Sequence, residues 1–199
     1  MIRRWGSAVT LAVACALVSS VPPVYAAPVS QAPPGVPSTW VRKAPGGWVY
    51  WVPTKKWTDK HSKCGLDISS PTGTMLVGLG GGPLPVPMDT KQALGAIVDA
   101  YRSEGLTGVS VVKEYPVEEE AGAQTQSFLV KGTRTPAGMS AMPVTAMISV
   151  RVSSTSFGNG IEASVVLAPT KEWRKQAKTL GTILKNVTHL ETDCLVSAD

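Results

Sequence analysis

Two short stretches gather the side chains best suited to chemistry. "DKHSKC" holds Asp59, His61 and Cys64, and "HLETDC" holds His189, Glu191, Asp193 and Cys194. Brought together, two thiolates and two imidazoles would make a tetrahedral zinc site. The spacings are not those of a familiar zinc finger, and export to an oxidising compartment, argued below, favours a disulfide between Cys64 and Cys194. That bridge is the expectation, with no metal and no cofactor. It would fasten the tail beyond the last helix to the first part of the sheet.

Other constellations are weaker. The chain has two histidines, so a Ser-His-acid triad must use His61 or His189, with Ser62 and Ser69 near the first. No G-x-S-x-G elbow accompanies them, and no enzyme activity is expected. "VGLGGGP" (77–83) is glycine-rich but runs into Pro83, Pro85 and Pro87 instead of a helix. A phosphate cradle needs backbone N–H groups at a helix N-terminus, so residues 80–87 read as a loop. Glu118, Glu119 and Glu120 lack the alternating spacing of a calcium loop and read as a solvated hairpin. Lys171, Arg174, Lys175 and Lys178 share one face of a helix, a candidate docking face for an acidic partner or anionic surface, or simply a solvated one. Asn186-Val187-Thr188 matches a glycosylation acceptor, read as accidental in a bacterial chain.

These groups need elements to hold them. "GWVYWVPTKKW" (47–57) reads as a strand ended by Pro53, aromatic or apolar on both faces. Trp48, Tyr50, Trp51 and Trp57 are therefore either core residues between two layers or a candidate ligand or partner surface. Strands are expected at 65–70 and 74–80, joined by Ser70-Pro71-Thr72-Gly73. "DTKQALGAIVDAYRSEG" reads as a helix capped by Asp89 or Thr90, striped by Leu94, Ile97, Val98 and Tyr101, and ended by Gly105. Strands follow at 108–116, 125–134, 144–153 and 161–168, the third alternating strictly with Val144, Ala146, Ile148, Val150 and Val152 on one face. The last helix, "TKEWRKQAKTLGTILKNV", buries a stripe led by Trp173, with Ala177, Leu180, Leu184 and Val187. Short connections make the strands antiparallel. The fold class is α+β: a twisted antiparallel sheet of about six strands with helices packed on it, an α/β/α sandwich.

The ends set the compartment. Arg3 and Arg4, an apolar run over 8–18 and small residues at Val24 and Ala26 are the parts of a secretory signal peptide cut after Ala26. The run is too short to span a bilayer. A lipoprotein reading would use Cys15, but Ala12 stands where a leucine is expected and the apolar run continues past the cysteine. Residues 27–46, with five prolines, read as an extended tether whose end Trp40 docks on the domain. Residues 47–199 form a single domain. Of 19 basic residues two fall in the signal, leaving 17 against 14 acidic residues, or +3. That balance is too modest to argue for nucleic acid.

The stretch "VYWVPTKKWTDKHSKCGLDISSPTG" resembles the start of PsbP-like domains, in which an aromatic strand runs through a proline and a tryptophan into a second strand. "ASVVLAPTKEWRKQAKTLGTILKNV" resembles their end, where a strand closing in Ala-Pro leads into an amphipathic helix. A related fold occurs in the Mog-type Ran-binding import factor. The matched residues Pro53, Trp57, Gly65, Pro169 and Trp173 look structural. The resemblance implies an α/β/α sandwich and a non-catalytic role in binding or assembly. The expectation is a secreted or periplasmic module of the bacterial envelope, monomeric and not transmembrane when mature. Its partner is an envelope protein or, alternatively, an apolar small molecule or lipid carried between sheet and helix.

Overall fold

Strictly alternating apolar residues in two long strands fix the centre of the molecule. In the computed structural model, which describes residues 32–155 and 158–189, the elements in chain order are β1 (Val41–Lys43), β2 (Trp48–Val52), β3 (Thr58–Ser62), β4 (Gly65–Ser69), β5 (Leu76–Leu84) and α1 (Thr90–Arg102). There follow β6 (Leu106–Glu114), β7 (Glu118–Glu120), β8 (Ala123–Arg134), β9 (Met142–Thr155), β10 (Gly158–Pro169), α2 (Trp173–Lys185) and β11 (Thr188–His189). The large sheet runs β3-β4-β5-β10-β9-β8-β6 with β7 paired to β8, and a small sheet runs β1-β2-β11. Every pairing is antiparallel.

Alternation sorts the side chains of the large sheet into two cores. Leu76, Phe128, Val144, Ala146, Ile148, Val150, Val165 and Leu167 meet Ala93, Leu94, Ile97 and Tyr101 of α1. On the opposite face Leu66, Ile68, Val77, Val166 and Ala168 meet Leu180 and Ile183 of α2 and Trp48, Tyr50 and Val52 of β2. The layers are those of an α/β/α sandwich, the expected class. The strand number differs: the described residues hold eight strands and three more, against about six expected. The extra ones are short or polar, such as "TDKHS" in β3 and "EEE" in β7, and give no hydrophobic alternation to detect.

Strand β2 is buried at every position. Trp48, Tyr50 and Val52 fill the core beneath α2, and Val49 and Trp51 are also covered, beside Thr188 of β11 and Arg42 of β1. A strand with a partner on each side and a core below it has little room for polar residues. The stretch read as a tether takes part in the fold: Val36 is buried, Trp40 packs on the lower core as expected, and residues 41–43 pair with β2.

The glycine run is a strand, not the loop expected over 80–87. β5 continues through Gly80, Gly81, Gly82 and Pro83 to Leu84, paired with β10 throughout. β4 ends opposite Gly80. The Gly81 N–H donates to the Cys64 carbonyl, so odd-numbered residues beyond it aim their N–H toward the side that β4 has left. Pro83 thus lacks its donor where no strand needs one, which is where sheets tolerate proline. At Gly81 a Cβ would lie 2.8 Å from the Ile161 carbonyl, so that position must stay bare.

Helix α1 begins with a capping box: the Gln92 N–H donates to Asp89 and the Asp89 N–H to the Gln92 side chain. Helix α2 has no side-chain cap and no acidic residue in its first turn. The acidic hairpin turns through Ala121 and Gly122, both at positive φ, the backbone of a two-residue hairpin loop.

Candidate functional site

The α1 face of the sheet is filled by large side chains except near β4 and β5. There the positions that point to the helix are Gly65, Asp67, Gly78 and Gly80. Without side chains at three of the four, a cleft of about 390 Å³ opens between the sheet and the second half of α1. Its floor continues onto Ala163 and Val165 of β10. Ile97, Ala100 and Tyr101 form the roof, and Lys60, Ser62, Ser103 and Glu104 stand at the mouth.

Asp67 and Tyr101 are the polar centre. The Tyr101 hydroxyl donates to Asp67 Oδ1 at 2.8 Å. Gly78 makes this possible: a Cβ there would sit 1.9 Å from the tyrosine oxygen. At Gly80 the nearest atom to a Cβ would be 3.7 Å away, an ordinary contact. One glycine is therefore required by packing and the other is not. Burial raises the Asp67 carboxyl above the usual range, aided by nearby Glu104 and opposed by the Tyr101 bond and the charges of Lys60 and Arg134. Burial, with Asp67 beside it, raises Tyr101 as well. Arg134 is buried, which lowers it, and donates to the Gly73 carbonyl at 3.0 Å. Lys60 and Glu104 pair at 3.2 Å across the mouth. The cleft thus offers an apolar body and a carboxyl whose hydrogen-bond partner is a neutral phenol. It suits a small molecule with a donor group at one end.

A second constellation lies on the other face. Tyr50 donates to Asp59 Oδ1 at 2.6 Å, and His61 Nδ1 lies 2.9 Å from Asp59 Oδ2. Lys43 Nζ is 4.0 Å from the same carboxylate and donates to the Trp57 carbonyl. Burial pushes Asp59 up, but the Tyr50 and His61 bonds and the Lys43 charge outweigh it and hold the carboxyl below its usual range. An oriented Asp–His pair supplies two of the three members of a hydrolytic triad. The hydroxyls do not complete it: Ser62 follows His61 on a strand and so points to the opposite face, and Ser69 pairs with Thr58 at the far end of β3.

Of the other sequence-selected residues, Trp48, Tyr50, Trp51 and Trp57 are buried at 0–7% exposure. They are placed in the core, and Trp48 also reaches a recess. Its indole donates to the Ser62 carbonyl at 3.0 Å and its ring lies 4.0 Å from that of His189. Both border a recess of about 450 Å³ with Ser149, Arg151 and Glu162. Lys171, Arg174, Lys175 and Lys178 are exposed on α2. Cys64 stands half-buried in the β3–β4 turn. Cys194, Cys15 and the residues expected to form a signal peptide lie outside the described residues, as do the expected bridge and cleavage site. Among the described residues no group of three His, Cys, Asp or Glu side chains is placed to hold a metal, and no helix is long and apolar enough to cross a membrane.

The sequence reading missed the cleft. Asp67 was visible as a charge inside the apolar strand "GLDISS", and Gly78, Gly80 and Gly82 repeat with the strand period of two.

No protein-family model and no curated protein matches this chain. Solved structures do. The chain is similar to cyanobacterial PsbP (CyanoP) from Synechocystis sp. PCC 6803 at 8% identity and a TM-score of 0.45, covering 82% of this chain and 99% of that one. It is similar to the Saccharomyces cerevisiae Ran-binding protein Mog1p at 14% identity and a TM-score of 0.44, covering 79% and 98%. LpqN, involved in cell envelope biogenesis of Mycobacterium tuberculosis, matches at 11% identity and 0.39, covering 76% and 91%. The first two are a PsbP and a Mog-type protein, the group that the sequence stretches resemble. Likenesses at these identities and TM-scores say nothing of activity.

Proposed function

We propose that this chain is an exported, non-enzymatic binding module of the bacterial envelope whose ligand site is the cleft between α1 and β5. The observation that carries this is Gly80: it leaves the floor of the cleft open although the backbone and its neighbours have room for a Cβ. An open cleft floor that packing does not require is a reason to look for an occupant. The volume stands at the small end of the ~300–1,000 Å³ range of ligand sites, which favours a compact molecule over a diacyl lipid. Export rests on Arg3, Arg4, the apolar run and the Val24-x-Ala26 site.

Assembly on a protein partner is the second reading, favoured by Val111, Val112 and Val117, which are 44–50% exposed on and beside edge strand β6. Mass spectrometry under native conditions, on protein recovered from its own host, separates the two. The cleft reading expects a bound small molecule that Gly80→Val loses. A protein retained by both forms, with no small molecule on either, would replace it with the assembly reading.

A further inference from the structure

Helix α2 carries a second feature that the cleft does not use. At 3.6 residues per turn, Lys171, Arg174, Lys175, Lys178 and Lys185 fall within an arc of about 100°. That arc is opposite Leu180 and Ile183, which face the core. All five are exposed. Among the described residues none of them forms an ion pair, whereas on α1 Lys91 pairs with Glu114 and Arg102 with Asp99. Lys171, Arg174 and Lys175 also crowd the N-terminal end of α2, where the helix dipole disfavours cations and where the one acid, the N-cap Glu172, makes no side-chain capping bond. Three cations placed against the dipole of their own helix need a reason outside the fold.

We infer that the exposed face of α2 docks the exported protein on an anionic phospholipid surface. Membrane is favoured over a protein partner by the residue types. Protein interfaces are depleted in lysine at their centres and rely on aromatic or arginine anchors in pockets. This stripe has four lysines, one arginine and no exposed large apolar residue. Clusters of four to eight cations on an amphipathic helix are the pattern that anionic headgroups attract. Because α1 lies on the other face of the sheet, docking through α2 leaves the cleft turned away from the bilayer.

Sedimentation with phosphatidylglycerol–phosphatidylcholine vesicles tests this, using the exported protein so that every variant shares one N-terminus. The wild type should bind the mixed vesicles, ignore pure phosphatidylcholine and be released by high salt. Lys175→Ala with Lys178→Ala should bind roughly thirtyfold more weakly, from the attraction per charge at such a surface. Lys91→Ala with Arg102→Ala, an equal loss of charge on α1, should bind as the wild type does. Thermal melts should show neither pair clearly less stable than the parent, with Lys175→Ala and Lys178→Ala equal to it or slightly higher. Equal weakening by both pairs would mean that net charge, not α2, drives binding, and equal binding to neutral vesicles would remove the electrostatic account. Failure to bind vesicles at all, with or without capture by polyglutamate, would overturn the proposal; capture would assign the stripe to an acidic polypeptide.

Discussion

The two faces of the large sheet are finished in opposite ways. On the α1 face the helix is well made, with a capping box and paired charges, and the packing beneath it is left open at Gly80. On the α2 face the packing directly beneath the helix is dense, with Tyr50, Trp57, Leu66, Ile68, Leu180 and Ile183 all buried, a recess opens beyond it beside Trp48 and His189, and the helix is poorly made at its start. Local helix quality and core quality are thus independent, and the two faces depart from stability in different places. Such departures are where function is to be sought.

The largest expected effect tests the dense face. Leu180→Ala should cost about 2–5 kcal/mol in chemical denaturation, since the leucine is fully buried between α2 and β10. Trp173 leads the stripe in sequence but is only half-buried, so Trp173→Ala should cost less. The reverse order would mean that α2 is seated on its first turn.

The open face is probed by two glycines. Gly78→Ala should cost about 1–3 kcal/mol, because its Cβ collides with Tyr101 and breaks the bond to Asp67. Gly80→Ala should be neutral or gain ~0.4–1 kcal/mol by restricting the unfolded chain. Equal losses at both would show the cleft to be as tightly fitted as the rest of the core.

Helix ends give the next size of effect. Asp89→Ala should cost about 1 kcal/mol through loss of the capping box. Lys175→Glu should instead stabilise by about 0.3–1 kcal/mol, by placing an acid in the first turn of α2. Destabilisation by Lys175→Glu would remove the contrast between the helices.

A slope with pH is the subtlest test. Asp67 is raised in the folded state, so the stability present at low pH is lost as pH rises through its folded pKa. Asp67→Asn should therefore raise the melting temperature at neutral pH and change it little in acid. Asp59 is lowered, so its contribution is present at neutral pH and is lost as pH falls through its folded pKa. Asp59→Asn should therefore destabilise at neutral pH and matter less in acid. Melts across pH that shift both variants in the same direction would contradict these assignments.

Much of this frame is legible in the residues. Val144 to Val152 and Ile161 to Leu167 show the central hairpin by alternation, and the stripes of α1 and α2 show which faces are buried. β3 is illegible because an exposed edge strand has no apolar face to display. β5 is illegible because glycine and proline signal turns locally, and only its partners and its open edge make them acceptable in a strand. Tyr101 reads as one more core residue in a helical stripe; its bond to Asp67 depends on a glycine on β5, which no local pattern can show.

The central claim is that Gly80 is bare for a ligand and not for the fold. One sample of Gly80→Val, melted and weighed under native conditions beside the wild type, tests it. The account predicts an equal or higher melting temperature of the ligand-free protein and loss of the bound small molecule. A melting temperature lower by several degrees, or a small molecule still retained, would contradict it.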